Sequence, residues 1–283
     1  MKIKAALLEG AQYLTGATGT PNLDAELLLG ELVGLDRAGL ILKGQEELSE
    51  EDWAQYWEQL EKRRRGCPVQ YLVREQEFMG LPFYVDERVL IPRPDTELLV
   101  EVVIEAMKVV DRPRILDLCT GSGAVAVSLA HYLKCGIVIG TDISPDALEV
   151  AQHNAEKNGV SERIHWHVGD LLEALPPGTE KLDAVVSNPP YIQSAVIPTL
   201  DVNVREYEPH LALDGGSDGL DCYRRIVNGA AGWLKPGGLL ALEIGYDQRN
   251  DLLTLIETTG LYGCTECRQD LAGHDRVILA WRL

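Results

Sequence analysis

Short apolar segments typical of buried strands alternate with amphipathic helical segments from residue 114 to the end of the chain, and this alternation most constrains the fold. Such a pattern produces a mostly parallel sheet with helices on both faces. The last two predicted strands follow each other without an intervening helix, so we expect them to form an antiparallel hairpin at one edge. The predicted strands are 115–118, 137–142, 164–168, 184–187, 239–244, 262–267 and 276–281, and the predicted helices are 124–133, 145–158, 222–233 and 251–258.

The first 72 residues show helical spacing instead, with apolar residues recurring every three to four positions. We predict a small helical bundle over 1–72 that docks a partner or covers a site. Its basic run, Lys62 to Arg65, is predicted to end a helix that begins with acidic residues, as the helix dipole favours. Alternation over 76–91 predicts a β-hairpin within a linker spanning 73–92, and the large domain is expected to span 93–283.

Composition excludes several classes of protein. The chain carries a formal net charge of −18, and so acidic a surface disfavours direct nucleic-acid binding. The apolar runs are too short to span a bilayer, and the N-terminus does not resemble a signal peptide. The six cysteines are scattered, and the one C-x-x-C pair, Cys264 and Cys267, has no second pair or histidine partner near it in the sequence, so we predict reduced thiols and no metal. We therefore expect a cytoplasmic protein with no membrane association.

A glycine-containing loop follows the first strand of the large domain and precedes a helix, which is the usual place for a nucleotide. Asp142, at the end of the next strand, is placed to accept hydrogen bonds from ribose hydroxyls. Two cofactors remain open, a dinucleotide and S-adenosylmethionine (AdoMet). The acidic side chain of Asp117 suits the ammonium group of AdoMet better than a pyrophosphate. The candidate cofactor residues of this loop are Asp117, Cys119, Thr120, Gly121, Ser122 and Gly123.

A second polar group, Asn188-Pro189-Pro190-Tyr191, follows a buried β-branched strand. The prolines fix the backbone and lack N–H groups, so this segment presents acceptors, namely the Asn188 side-chain oxygen and the carbonyls of Asn188 and Pro189. Tyr191 adds an aromatic face. Two acceptors and a ring suit a planar –NH2 group, and these four residues are the candidate catalytic residues.

These motifs together resemble those of the peptide chain release factor glutamine N5-methyltransferase family, a class I AdoMet-dependent methyltransferase family with a Rossmann-like sheet. The resemblance covers essentially the whole chain. The resemblance implies that Asp170 and Leu171 flank the adenine of the cofactor. It also implies that Asn188 contributes to cofactor binding. Cys119 departs from the glycine often found there, and we expect it to keep a negative φ. Further matching segments are 67–72, 89–97, 207–209, 215–220 and 270–276.

The resemblance implies transfer of a methyl group from AdoMet to the glutamine of the Gly-Gly-Gln motif of class I release factors, leaving S-adenosylhomocysteine. We expect a monomer whose N-terminal bundle helps dock the release factor. In our hypothesis, Asn188 and the Pro189 carbonyl each accept one amide N–H, and no general base is needed. Three alternatives remain open: an adenine-N6 nucleic-acid methyltransferase, a nicotinamide-dependent oxidoreductase, and a non-catalytic protein-binding module.

Overall fold

The computed structural model describes residues 1–133 and 136–283; Cys135, one of the six cysteines, lies outside them. The described residues form α-helices and β-strands, with short 3-10 turns between some of them. The helices are α1 Ile3–Leu14, α2 Pro21–Val33, α3 Arg37–Leu42, α4 Glu50–Arg64, α5 Val69–Val73, α6 Pro94–Met107, α7 Ala124–Tyr132, α8 Pro145–Lys157, α9 Val202–Arg205, α10 Asp221–Ala230 and α11 Arg249–Thr259. The strands are β1 Gln76–Phe78, β2 Leu81–Phe83, β3 Arg114–Leu118, β4 Ile137–Asp142, β5 Ile164–Val168, β6 Leu182–Ser187, β7 Leu234–Glu243, β8 Tyr262–Gln269 and β9 Asp275–Arg282.

The main sheet has seven strands in the order β5-β4-β3-β6-β7-β9-β8. Strands β3 to β7 pair in parallel with one another, while β9 is antiparallel to both β7 and β8. The predicted α/β sheet with an antiparallel edge hairpin is therefore confirmed. Because strand order reverses between β4 and β6 around β3, the carboxyl end of β3 marks the switch point where such sheets bind ligands.

Each face of this sheet carries its own apolar core. Ile115 and Val138 belong to the core on one face, and Leu116 and Ile139 to the core on the other. Alternate residues of a strand point to opposite faces, so a strand buried on both faces must be apolar at nearly every position. This explains why the central strands are nearly continuous apolar runs.

Strand β7 begins earlier than predicted, at Leu234 rather than at residue 239. The prediction excluded Pro236 and the following glycines because proline and glycine are rare inside strands. The chain accommodates them with an irregularity: Leu182 of β6 pairs with Leu234, yet Ala184 pairs with Leu239.

The chain divides into two units, one made of 1–75 with 201–207 and the other of 76–200 with 208–283. In the first unit, helices α1 to α5 enclose an apolar core that includes Leu14, Leu28 and Tyr56. The short segment 201–207 was not predicted to belong there. It packs against the end of the α4 region, where the Tyr207 hydroxyl donates to the Arg65 carbonyl at 3.4 Å.

Helix α4 has the predicted capping and charge pattern. The Ser49 hydroxyl accepts a hydrogen bond from the Asp52 N–H, and basic residues occupy the last turn. One of these basic residues, Arg63, also forms a buried ion pair. Its Nε lies 2.6 Å from Asp24 Oδ2, and the Asp24 side chain is only 2% exposed. Arg64 instead lies 4.4 Å from the ring centre of Tyr13.

The second unit opens with the predicted hairpin, formed by β1 and β2. Its two turn residues, Met79 and Gly80, both have positive φ, as a tight two-residue hairpin requires. The Met79 N–H donates to Glu97 Oε1 at 2.6 Å, which stabilises this conformation at a non-glycine residue. The alternation predicted beyond Phe83 does not form a strand, since residues 87–89 form a turn. Within the described residues, no helix is long and apolar enough to cross a membrane.

Candidate active site

The loop after β3 is held against the end of β4 by backbone hydrogen bonds. The Thr120 N–H donates to the Thr141 carbonyl at 3.0 Å, and the Gly121 N–H donates to Asp142 Oδ2 at 2.9 Å. The other oxygen of Asp142 accepts the Ser144 N–H at 2.9 Å. Parallel pairing of β3 with β4 places both carboxyl ends at one edge of the sheet, so Asp142 both shapes this loop and faces the cavity beside it.

Asp117 lies beneath this loop. Its side chain accepts the Thr120 hydroxyl at 2.6 Å and the Ala126 N–H at 3.1 Å, and the residue is only 1% exposed. Burial raises the pKa of Asp117 to about 7, although these hydrogen bonds lower it. The carboxyl therefore links the loop to the start of α7.

Cys119 corrects one expectation: its φ is +59°, not negative. The loop turns here to bring Thr120 and Gly121 to β4, and those hydrogen bonds hold cysteine in a conformation that glycine adopts more easily. A left-handed conformation costs a non-glycine residue roughly 1–2 kcal/mol. Burial also raises the pKa of the Cys119 thiol well above its usual value, so the thiol is neutral.

A cavity of about 300 Å³ lies at this edge of the sheet. Seven of the predicted site residues line it: Cys119, Gly121, Asp142, Asp170, Leu171, Asn188 and Pro190. The other predicted residues are not among the described residues that line the cavity: Asp117, Thr120, Ser122, Gly123, Pro189 and Tyr191.

The two loop glycines differ in what surrounds them. Gly121 has a φ of +55°, and a Cβ there would meet no atom within 4 Å, so the backbone is open to the cavity. At Gly123, with a φ of +79°, a Cβ would lie 3.0 Å from the Ala151 Cβ. Gly121 therefore allows close approach of a ligand, whereas Gly123 allows close packing against α8.

Several lining residues were not predicted from the sequence, among them Arg88, Cys222 and Arg225. Arg225 on α10 donates from Nη1 to Asp170 Oδ1 at 2.9 Å. Asp170 is thus held by a helix that begins some fifty residues later in the chain. The only sequence signal for this helix was its apolar spacing, which carries no information about its polar face.

The Asn188–Tyr191 motif begins where β6 ends. The Ser187 hydroxyl donates to the Leu118 carbonyl at 2.8 Å, which fixes the end of β6 to the start of the cofactor loop. Asn188 donates from Nδ2 to the Thr96 hydroxyl oxygen at 3.1 Å. Because the amide nitrogen of Asn188 is engaged in this way, its Oδ1 is left as an acceptor for a ligand in the cavity that Asn188 lines.

The end of the motif is held through its backbone. Gln248 donates from Nε2 to the Tyr191 carbonyl at 3.0 Å and to the Gly219 carbonyl at 3.2 Å. The chain approaches so closely that a Cβ on Gly219 would lie 2.4 Å from the Tyr191 carbonyl oxygen, and one on Gly215 would lie 2.7 Å from the Tyr191 Cα. The glycines of the 215–220 segment therefore allow this loop to pack against the motif.

Two groups of ion pairs hold the surrounding segments. Arg93 Nη2 lies 2.6 Å from Glu208 Oε1, and the Glu208 side chain is fully buried. Arg276 Nη2 lies 3.2 Å from Asp95 Oδ2 and 3.1 Å from Asp270 Oδ2. The segments 89–97, 207–209 and 270–276, which are far apart in the sequence, are thus connected near the motif.

The cysteines, histidines and acidic residues that the structure describes do not form a metal site. No group of three or more such side chains is arranged to hold an ion anywhere in the described ranges. Cys264 and Cys267 both lie on β8, where Cys264 is exposed and Cys267 is partly buried.

Comparison with known proteins identifies the family. A family model described as the PrmC N-terminal domain matches residues 5–73, and a methyltransferase-domain model matches 115–209. The chain is 48% identical to the release factor glutamine methyltransferase of Moorella thermoacetica and 43% identical to that of Clostridium acetobutylicum. Each alignment covers all of this chain and 99% of the relative.

Solved structures match the same sheet. A human methyltransferase 10 domain containing protein aligns with a TM-score of 0.54 at 18% identity, covering 72% of this chain and 88% of that one. A methyltransferase from Pyrococcus furiosus aligns with a TM-score of 0.51 at 19% identity, covering 72% and 90%. These likenesses show the fold alone, whereas the full-length identities show that the chain belongs to the release factor glutamine methyltransferase family.

Proposed function

We propose that this protein transfers a methyl group from AdoMet to the side-chain amide nitrogen of the glutamine in the Gly-Gly-Gln motif of class I release factors. The observation that carries the proposal is the state of Asn188. Its Nδ2 is engaged by Thr96, and it lines the same cavity as the cofactor loop. An amide acceptor at the edge of a cofactor cavity suits a substrate –NH2 group.

The lining of the cavity fits AdoMet. The backbone at Gly121 is open, and Asp142 and Asp170 supply carboxylates. AdoMet carries a sulfonium and an ammonium but no phosphate, so the Asp142 carboxylate beside the glycine-containing loop favours it over a dinucleotide, whose pyrophosphate that carboxylate would repel. In this proposal Asp142 holds the ribose, and Asp170 with Leu171 flanks the adenine. The remaining loop residues, Asp117, Cys119, Thr120, Ser122 and Gly123, shape the loop or contact the methionyl part.

The substrate amide is a poor nucleophile because its nitrogen lone pair is delocalised into the carbonyl. Asn188 Oδ1 and the Pro189 carbonyl each accept one of its N–H groups, which favours a pyramidal nitrogen and aims the lone pair. Bound AdoMet supplies the electrophilic methyl group. Pro190 keeps the motif rigid, Tyr191 supports the substrate side chain, and the rate comes from positioning and electrostatics. After transfer, the cationic nitrogen loses its proton to water or a neighbouring acceptor.

The unit formed by 1–75 and 201–207 is proposed to dock the release factor, with the enzyme acting as a cytoplasmic monomer that neither inserts into membranes nor binds nucleic acid directly. The matched PrmC N-terminal domain model over residues 5–73 supports a role particular to this family. We retain 73–92 as the linker and 93–283 as the catalytic domain in functional terms. Deleting residues 1–72 is expected to weaken release factor binding.

The test uses radiolabelled AdoMet with a purified release factor, and separately with double-stranded DNA. Methylation of the release factor alone is expected. Asn188→Ala is expected to lower turnover about tenfold to a thousandfold, as for loss of one positioned polar group. The matched control is Asn228→Ala, because Asn228 is exposed and its side chain donates to the Arg224 carbonyl of its own helix. Wild-type turnover by the Asn188 variant, or labelling of DNA, would overturn the proposal.

A further inference from the structure

Two buried polar residues near Asn188, Thr96 and Glu243, have no role in the proposed function. Thr96, near the start of α6, is 5% exposed and accepts the Asn188 Nδ2 hydrogen at 3.1 Å. Glu243, the last residue of β7, is 2% exposed. Pairing of Ser187 with Leu242 in neighbouring parallel strands brings Glu243 beside the start of the motif.

The Thr96 and Tyr191 hydroxyls are close enough to the Glu243 carboxyl to affect its pKa. Side-chain hydrogen bonding by Thr96 and by Tyr191 acts on its carboxyl and lowers its pKa, against the larger effect of burial, which raises it. Glu243 Oε2 has no hydrogen-bond partner among the described residues. A buried carboxylate with an unsatisfied oxygen is costly, and such groups persist mainly where they serve a function.

We propose that Thr96 and Glu243 are positioning residues that fix which way the Asn188 side-chain amide faces. This inference rests on the proposed function, in which Asn188 Oδ1 must accept a substrate N–H. An asparagine amide can turn over and exchange its oxygen and nitrogen, so something must select one orientation. In this proposal, ionised Glu243 accepts the single Thr96 hydroxyl hydrogen, so Thr96 is only an acceptor towards Asn188, and Asn188 must offer it Nδ2.

Protonation of Glu243 removes this selection. A protonated carboxyl donates to the Thr96 oxygen, and the Thr96 hydrogen is then free to be donated to Asn188 Oδ1. Asn188 would turn its –NH2 towards the substrate, where two donors would face each other. Turnover is therefore expected to require the ionised form of Glu243.

The groups around Glu243 set the pH range of this effect. Burial is the main cause that raises its pKa to about 7, while Arg276 lowers it and Asp95 raises it. The Tyr191 hydroxyl also lowers it, and Tyr223 donates its hydroxyl to the Glu243 backbone carbonyl at 2.7 Å. With a raised pKa, the carboxyl is ionised above about pH 7, and kcat should fall as the pH decreases through that value.

The test compares Thr96→Val, Thr96→Ser and the control Thr254→Val at saturating AdoMet and release factor. Valine keeps the shape but removes the hydroxyl, so kcat is expected to fall about tenfold to a hundredfold, as for a displaced reacting group. Serine keeps the hydroxyl and should retain at least half of kcat. Thr254 is exposed, and its hydroxyl donates to the Asn250 carbonyl of its own helix, so its variant should behave as wild type.

The readout that separates positioning from stability is the kcat–pH profile. Wild type and Thr96→Ser should lose kcat below about pH 7, whereas Thr96→Val and Glu243→Gln should show no such loss, because each disconnects a titrating Glu243 from Asn188. AdoMet affinity, measured by calorimetry, should stay within about threefold of wild type in Thr96→Val. An unchanged kcat, or an unchanged acid limb, in Thr96→Val would overturn the inference. Absence of release factor methylation by the wild type would instead overturn the proposed function.

Discussion

Replacement of Gly219 by alanine tests whether close backbone packing positions the Asn188–Tyr191 motif. Gly219 has a φ of +76°, and its added Cβ would lie 2.4 Å from the Tyr191 carbonyl oxygen and 2.7 Å from Gln248 Nε2. Both are far inside van der Waals contact, and the backbone oxygen cannot move without moving the motif. The Gln248 amide that holds the Tyr191 carbonyl would also be displaced.

The expected loss of stability has two parts. A left-handed conformation costs alanine roughly 1–2 kcal/mol relative to glycine. Overpacking in a close-packed interior costs typically about 1–3 kcal/mol more. Together they predict a decrease in the free energy of unfolding of about 2–5 kcal/mol. Because an error of about 1 Å in position can cost a hundredfold in rate, kcat should fall at least tenfold in the folded variant.

Gly237 provides the matched control. Its φ of +75° is nearly the same, yet a Cβ there would meet nothing within 4 Å. Gly237→Ala should therefore lose only the conformational part, about 1–2 kcal/mol, and keep wild-type kcat. Urea denaturation measures the stability of both variants, and release factor methylation at saturating AdoMet measures kcat. Equal stability losses in the two variants, or wild-type kcat in folded Gly219→Ala, would refute the packing argument.

The remaining predictions concern two buried acidic residues. Arg63→Ala leaves buried Asp24 without its cation, so the free energy of unfolding of the first unit, measured by thermal or urea denaturation, should fall by about 3–5 kcal/mol. The control Lys62→Ala removes an exposed ion pair and should cost under about 1 kcal/mol. Similar losses in the two variants would contradict this prediction. Asp117 has a folded pKa of about 7, above its ordinary value, so the folded state binds its proton more tightly and stability is lost as the pH rises through 7. The wild type should therefore become more stable as the pH falls from about 8 to about 6, and in Asp117→Asn this gain should be smaller by roughly 1 kcal/mol. The same pH dependence in both proteins would argue against a proton on Asp117.

Much of the sheet could be predicted because its strands are locally distinct. Strands Ile137–Asp142 and Ile164–Val168 begin and end where predicted, since β-branched and aromatic residues fill each and turn residues bound them. The positions of Asp142 and Asn188 at strand ends followed from the same pattern. Parallel strands place these ends at one edge, and both residues line the cavity.

The contacts that orient the site could not be predicted, because they join residues distant in the chain. Thr96 meets Asn188 across 92 residues, and Gln248 meets Tyr191 across 57. Nothing in the local sequence distinguishes either from an ordinary helix-start or loop residue. The positive φ of Cys119 is likewise set by hydrogen bonds to β4, and the segment 201–207 joins the first unit through tertiary contacts.

The most direct test of the account is tandem mass spectrometry of the release factor after reaction with AdoMet and wild-type protein. We predict one added methyl group on the side-chain nitrogen of the glutamine in the Gly-Gly-Gln peptide, at a rate strongly reduced by Asn188→Ala. A methyl group on any other residue, or an unmodified peptide after prolonged reaction with folded, AdoMet-binding protein, would contradict it.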